Sequence, residues 1–454
     1  MKVLKFGGTS VGTIESLRNV KSIVEGATEP TIVVVSALGG ITDKLINTAK
    51  LACSRDLSYV DRYNEIVERH YSVIEGIVPD IHKEDVLSII NPLFDDLLDI
   101  YKGVSLIRDL SERTLNIIVS FGERISSVIV SRVINNARHF NSLDFIKTEE
   151  WFNKNIADTE LTNKLIHETF DNENFSVAVV PGFISRDRDS GIITNLGRGG
   201  SDYTAAILAA TLNANVLEIW TDVDGFMTAD PRKIKNAQII DHLSFIESME
   251  LCNFGAKIIY PPTIYPVFHK NIAINLRNTF NPTAPGTWIT DENKDFDAPI
   301  RGLSSISETA IISVNVEPFS DNIENFKSRI FNTLSKNGVG VLFVSQSSSD
   351  TKIIFTIRQA DSKNALKLLK EEFASDETDD SNRIEIESNL ATIAVVGENI
   401  KHNPNLANQL YRILELNEIK ILAYSEANSK INIAVVVKMQ DQDNAMTIIH
   451  DYFF

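Results

Sequence analysis

KVLKFGGTS, residues 2–10, decides the fold class. Its first five residues, mostly apolar, predict a short strand over Lys2–Phe6. Two glycines and two hydroxyl residues close it, and Ile14, Leu17, Ile23 and Val24 then recur at roughly helical spacing. A strand turning through glycine into a helix opens a parallel α/β sheet, and the alternation returns at 31–36, 176–181 and 216–221. Each of these runs is nearly all apolar, as strands covered on both faces are. Residues 60–115 look wholly helical and amphipathic, an insertion forming a lid or flank, with Asp95 and Asp96 on a solvated face.

The 454 residues predict two to four domains, and 43% apolar with 23% charged residues is an ordinary soluble globular balance. A formal charge of −17 excludes nucleic acid and anionic membrane as partners unless a basic patch exists, and none is visible. No apolar run reaches the roughly 18 residues a membrane span needs. Met1–Gly8 lacks the layout of a secretion signal, and the two cysteines, Cys53 and Cys252, have no metal spacing, so a reducing cytoplasm is expected. Cys252 reads as a small buried apolar residue.

A polar, turn-rich stretch around 281–300 marks a boundary. Beyond it lies an internal repeat: strand 309–316, helix 321–337, strands 339–346 and 351–358 and helix 361–373, then strand 391–397, helix 405–416, strands 419–425 and 430–438 and helix 441–452. SQSSSDTKIIFTI (345–357) overlays SEANSKINIAVVV (425–437). The order is that of a tandem βαββαβ arrangement.

Five segments carry candidate chemistry. In KFGGTS, Lys5 stands at a strand end beside glycines that let backbone N–H groups approach an anion, although a plain strand-to-helix turn also explains two glycines. The Walker A spacing is absent. In LGRGGSD (196–202), Arg198 is a bidentate partner for a carboxylate among three glycines, and Asp202 reads as either a functional carboxylate or a helix cap. SFGER (120–124) puts Glu123 and Arg124 in apolar surroundings, where pairing with each other is the plainer reading of the motif alone. WTDVDGFMTADPR (220–232) sets polar groups at the end of a parallel strand, where open α/β sheets bind nucleotides, and FGAKIIYPP (254–262) places Lys257 after a glycine.

Taken in order with the repeat behind them, these segments resemble the aspartokinases of the amino-acid kinase superfamily, over essentially the whole chain. The resemblance implies a three-layer α/β/α kinase domain with a mainly parallel sheet over 1–290, then two βαββαβ ferredoxin-like ACT domains over 300–385 and 386–454, with strand exchange between them possible. It implies transfer of the γ-phosphoryl group of ATP, accompanied by Mg²⁺, to the β-carboxylate of L-aspartate, the first step towards lysine, threonine and methionine. Lys5 would stabilise the transferring group, and Asp202 would orient Lys5 or the metal-bound phosphates rather than take a proton. Gly7, Gly8 and Ser10 would contact phosphates. Arg198 would grip the substrate α-carboxylate and Glu123 its α-ammonium, with Ser36, Thr42, Phe183, Gly199 and Ser201 completing the aspartate pocket. Thr221, Asp222, Asp230, Arg232 and Lys257 would line the nucleotide side, and Mg²⁺ would be held by phosphates and water, with no protein ligand assigned.

The chain departs from a common family pattern at Met227, where a tyrosine often lies beside adenosine. For the regulatory half the resemblance implies an inhibitory amino acid at the ACT domains and a homodimer or homotetramer built through them. Ser345 and Gln346, in a serine-rich loop continuing through Ser347–Ser349, match threonine-sensitive members. Leu342 stands where lysine-sensitive members tend to carry an acid, which favours threonine over lysine. Glu426 replaces a glutamine in the second repeat. The chain ends after the last ACT helix, from which a monofunctional kinase is expected. The rival readings are another amino-acid kinase, for glutamate or carbamate, and a non-catalytic amino-acid sensor, which would be expected to have lost Lys5 or Asp202.

Overall fold

Apolar runs such as TIVVV and VAVVP bury every side chain only when covered on both faces, and the structure covers them. The computed structural model describes residues 1–151, 154–291, 300–315, 323–346, 352–373, 384–426 and 431–454. It divides into two compact units: Met1–Phe226, Asp241–Phe245 and Ile259–Asn293 form the first, and Met227–Ile240, Ile246–Ile258 and Lys294–Phe454 the second.

The first unit is built on an eight-stranded sheet in the order His242–Ser244, Thr287–Thr290, Ile274–Asn278, Leu217–Thr221, Lys2–Phe6, Thr31–Val35, Val177–Pro181, Ala137–His139. All neighbours are parallel except Ile274–Asn278 with Thr287–Thr290. Strand alternation decides what each face presents. Leu4, Phe6, Val33, Val35, Val177 and Val179 join one apolar core with the helices Ile14–Glu25, Ile41–Cys53, Tyr59–Ile77, Asp80–Ile107 and Glu112–Val133. The helical stretch read at 60–115 is therefore a packed flank, with Asp95 and Asp96 exposed. The intervening residues, Val3 and Lys5 among them, face the other way, where the helix Gly200–Thr211 packs against the Lys2–Phe6 and Thr31–Val35 strands. That helix is rich in alanine, and its short side chains let it lie close to the sheet. A four-stranded sheet, Lys154–Ala157, Lys147–Trp151, Ile184–Asp187 and Ile193–Asn195, leads the chain into it.

In the second unit six antiparallel strands run Val341–Gln346, Lys352–Arg358, Gly302–Asn315, Ile384–Val396, Asn432–Lys438, Ala423–Glu426. The two repeats share this one sheet. Residues 309–315 of the long Gly302–Asn315 strand pair on one side with Lys352–Arg358 of the first repeat and, through Val314, on the other with Ile384–Leu390, whereas Gly302–Ile306 pair with Thr392–Val396 of the second. A register shift between Ile306 and Thr309 marks the change. Helices Ile323–Lys336 and Ser362–Phe373 cover one half, and Leu406–Leu416 and Gln442–Phe453 the other. Residues 292–299 of the expected boundary and Ser347–Ser349 of the expected effector loop lie outside the described residues. Cys53 and Cys252 form no disulfide among the described residues and are both half-buried, so Cys252 is less enclosed than expected. No helix among the described residues is long and apolar enough to cross a membrane.

Leu97 is fully buried where the Asp80–Ile107 helix joins the first unit's core. Replacing it with alanine is expected to lower the unfolding free energy by about 2–5 kcal/mol, read as a shifted urea midpoint at unchanged slope.

Candidate active site

Strand alternation turns Lys5 towards the first turn of the Gly200–Thr211 helix, and its Nζ lies 2.6 Å from Asp202 Oδ1. Both side chains are only 12% exposed. The helix starts at Gly199 in a left-handed conformation (φ 68°) with no side-chain cap, so its amide end stays open towards the same space.

Two glycine loops form the floor. A Cβ on Gly39 would come within 3.0 Å of the Gly8 carbonyl oxygen, so the backbones after the first two strands touch directly. The Glu112–Val133 helix approaches them equally closely, because a Cβ on Gly122 would sit 2.7 Å from that of Ala37. This contact delivers Glu123, 4% exposed, to the cavity wall, where it accepts from the Ala37 N–H and its Oε2 has no partner among the described residues. Burial pushes its carboxyl from the ordinary 4.5 to about 8. The expected pairing with Arg124 is not formed: Arg124 stacks on Phe121 instead, 4.7 Å from the ring centroid.

Ser36 Oγ donates to Ser201 Oγ (3.0 Å), and its carbonyl accepts from Ser126 Oγ (2.8 Å), which fixes the second loop to both neighbouring helices. Phe183 is held at φ 67°, with its N–H donating to Thr204 Oγ1 (3.1 Å). Arg198 is exposed and has no ion-pair partner among the described residues.

These groups surround one cavity of about 320 Å³. Of the residues singled out from sequence, Lys5, Gly8, Ser36, Thr42, Glu123, Phe183, Arg198, Gly199, Ser201 and Asp202 line it. The run Ala37–Gly40 lines it too and was missed, although ALGG after the second strand repeats the FGG signal after the first. With Glu123 protonated below about pH 8, the cavity holds the cations Lys5 and Arg198 against the single carboxylate Asp202. That is a locally positive site in an acidic molecule, suited to an anionic ligand.

The residues expected on the nucleotide side lie elsewhere. Gly7, Ser10, Thr221 and Asp222 do not line the cavity. The Ser10 hydroxyl, expected to meet phosphates, is fully buried and engaged by Thr279 Oγ1 (2.7 Å) and the Trp220 carbonyl (3.3 Å), tying the first loop to the Leu217–Thr221 strand. Thr221 Oγ1 donates to Asp222 Oδ1 (3.2 Å) at that strand's end. Asp230, Arg232 and Lys257 belong to the second unit. Asp230 and Arg232 form a two-pronged pair at 2.9 and 2.8 Å, and Lys257 is exposed. Among the effector candidates, Ser345 lies in the Val341–Gln346 strand opposite Ile354, and Glu426 accepts from Tyr411 Oη (3.3 Å). The Gln346 side chain lies outside the described residues.

The amino acid kinase family model matches residues 1–278, and the ACT domain model matches 322–373 and 393–453. The bifunctional aspartokinase/homoserine dehydrogenase of Buchnera aphidicola subsp. Acyrthosiphon pisum is 32% identical over all of this chain, which spans 56% of that relative's length. Aspartokinase III of E. coli in complex with aspartate and ADP (R-state) is 25% identical, with a TM-score of 0.84 and 99% of each chain covered. The same enzyme in complex with lysine and aspartate (T-state) aligns with a TM-score of 0.77 at 25% identity over 100% of this chain and 99% of that one.

Because the folded pKa of Glu123 is raised, the folded protein keeps a proton that the unfolded chain releases. Its contribution to stability is whole below pH 4.5 and is lost as pH rises through about 8. Glu123→Gln cannot titrate, so its stability relative to the parent should climb across that window in urea unfolding at stepped pH. A difference that stays flat with pH would contradict the buried, unpartnered carboxyl.

Proposed function

This chain belongs to the amino acid kinase family, and on that premise we propose that it is an aspartate kinase, transferring the γ-phosphoryl group of ATP to the β-carboxylate of L-aspartate to give 4-phospho-L-aspartate and ADP. One observation carries the reading: a single cavity joins the Lys5–Asp202 ion pair to an unpaired Arg198 and a buried, half-unsatisfied Glu123. Arg198 suits an α-carboxylate and Glu123 an α-ammonium, so the pair selects an amino acid over a simple acid. The E. coli enzyme described with aspartate and ADP supports the same substrates.

The β-carboxylate of aspartate is ionised at neutral pH, with an ordinary pKa of about 3.9, so no general base is needed. The barrier is the meeting of two anions, and catalysis is positioning with charge neutralisation. Lys5 meets the transferring phosphoryl group, and Asp202 fixes the direction of its ammonium. Gly8 offers its backbone N–H to the phosphates, while the Gly7 N–H donates to the Trp220 carbonyl (3.3 Å) and holds the loop in place. Thr221, Asp222, Asp230, Arg232 and Lys257 serve the nucleotide. Mg²⁺ fits as a partner of the ATP phosphates, since Asp202 is already engaged by Lys5 and phosphate oxygens and water suffice as ligands. When bound it neutralises phosphate charge.

Residues 1–290 are proposed as the catalytic part, with 300–385 and 386–454 as paired ACT domains that bind an inhibitory end product, threonine before lysine, and join copies of the chain as a dimer or tetramer. A cytoplasmic place at the head of lysine, threonine and methionine synthesis accords with this. Lysine is the amino acid described with the E. coli relative, and it is the alternative effector to test.

Steady-state assays that trap the acyl phosphate with hydroxylamine test the assignment. Lys5→Ala is expected to lower kcat by about 10²–10³-fold, the usual effect of removing a group that stabilises developing charge. Arg198→Ala should act mainly on the KM for aspartate, raising it about tenfold or more through loss of a charged hydrogen-bonding partner. Equal losses in the KM values for ATP and aspartate on removing Arg198 would contradict its role. Threonine should suppress the signal at lower concentration than lysine.

A further inference from the structure

The turn bearing Asp230 and Arg232 is internally rigid. The Arg232 N–H donates to Asp230 Oδ1 (3.0 Å), and the N–H groups of Lys233 and Ile234 both donate to the Asp230 carbonyl (2.9 Å each). Such a turn moves as a block, so its location is set by whatever grips its two ends. Those grips belong to the second unit. Thr228, two residues before Asp230, has its carbonyl held by the Leu303 N–H (2.7 Å), its N–H by the Gln238 carbonyl (2.8 Å) and its hydroxyl by the Gln238 N–H (3.0 Å). The remaining bond joins Thr228 Oγ1 to His450 Nε2 at 2.9 Å, where His450, on the last helix, is 1% exposed. Ala229 and Ile234 enter the apolar core of that helix with Met446 and Ile449. Two solvent-facing contacts, Lys233 with Asp443 (2.9 Å) and Asn236 with Asp451 (3.2 Å), continue the seam.

Of these three polar links to the last helix, the buried Thr228–His450 bond should dominate. An exposed ion pair contributes little, whereas a buried partner left unsatisfied is costly. We infer that His450, on the last helix, is a positioning residue for nucleotide binding, acting through Thr228 on the Asp230–Arg232 turn. This rests on the nucleotide role proposed for that turn. It makes the helix farthest along the chain part of the apparatus that sets ATP affinity, and it leaves the aspartate cavity of the first unit untouched.

The test is steady-state kinetics on the full chain, varying ATP and aspartate separately, with His450→Ala, His450→Gln, Thr228→Val and Arg232→Ala. Loss of the buried Thr228–His450 hydrogen bond predicts a rise in the KM for ATP of about three- to tenfold for His450→Ala, and at least as large a rise for Thr228→Val, which also removes the acceptor of the Gln238 N–H, with the KM for aspartate unchanged in both. Gln can place a polar atom near the Nε2 position, so His450→Gln should recover most of the loss. The double variant His450→Ala/Thr228→Val should be no worse than the weaker single one. Should His450→Ala fail to fold, Thr228→Val, close to its parent in shape, carries the test alone. An unchanged KM for ATP, or equal rises in both KM values, overturns the inference. If Arg232→Ala leaves the KM for ATP unchanged while His450→Ala raises it, the positioning role stands and the nucleotide contact assigned to Arg232 falls. If neither variant changes it, both fall.

Discussion

A lysine near the end of a mostly apolar strand is the constraint on which the first unit depends. Lys5 is directed by strand alternation into the layer between sheet and helix, where an unpaired ammonium is costly. Asp202 meets it at 2.6 Å, and removing either partner would leave the other enclosed without compensation. For that pairing to form, the Gly200–Thr211 helix must lie close to the sheet with its first turn at the strand's end. Its alanines permit the approach, and left-handed Gly199 starts it with no side chain over the open amides. On the proposed reading, the fold and the chemistry share one requirement: a cation held still at the point where phosphate charge would be met.

Around this pair the cavity divides two tasks between two environments. Arg198 is exposed, which suits first capture of an anion by a molecule whose overall charge of −17 would repel it. Glu123 is desolvated, so its charge is suppressed until a cation arrives to stabilise it. An α-amino acid supplies both charges on one carbon, so under the proposed function the pair of environments would discriminate better than either group alone. The close approaches at Gly39 and Gly122 keep these groups within one small space, since any side chain there would push the loops apart.

Much of this was legible as polar residues in the wrong place: a lysine in KVLKF, an acid in SFGER, an arginine among glycines in LGRGGSD. The four parallel strands read from the sequence were placed within a residue of their observed ends, because doubly covered strands announce themselves by nearly all-apolar runs. What was not legible depended on distant partners. Nothing local in SFGER says that Arg124 will stack on Phe121 and leave Glu123 alone. Nothing in TDVDGFMTADPR says that residues from Met227 onward pack with the C-terminal half, since the partner of Thr228 lies 222 positions away. Periodicity reports burial, and long-range pairing is fixed only when the elements meet.

The central claim is that this cavity delivers aspartate's side-chain carboxylate to ATP. The most direct measurement is ³¹P NMR of the protein incubated with ATP, Mg²⁺ and L-aspartate, with L-glutamate in a parallel sample. The account predicts that the γ-phosphate signal of ATP declines as an acyl-phosphate resonance grows, with aspartate and not with glutamate. ATP bound but unconsumed, or an acyl phosphate formed equally from glutamate, would contradict it.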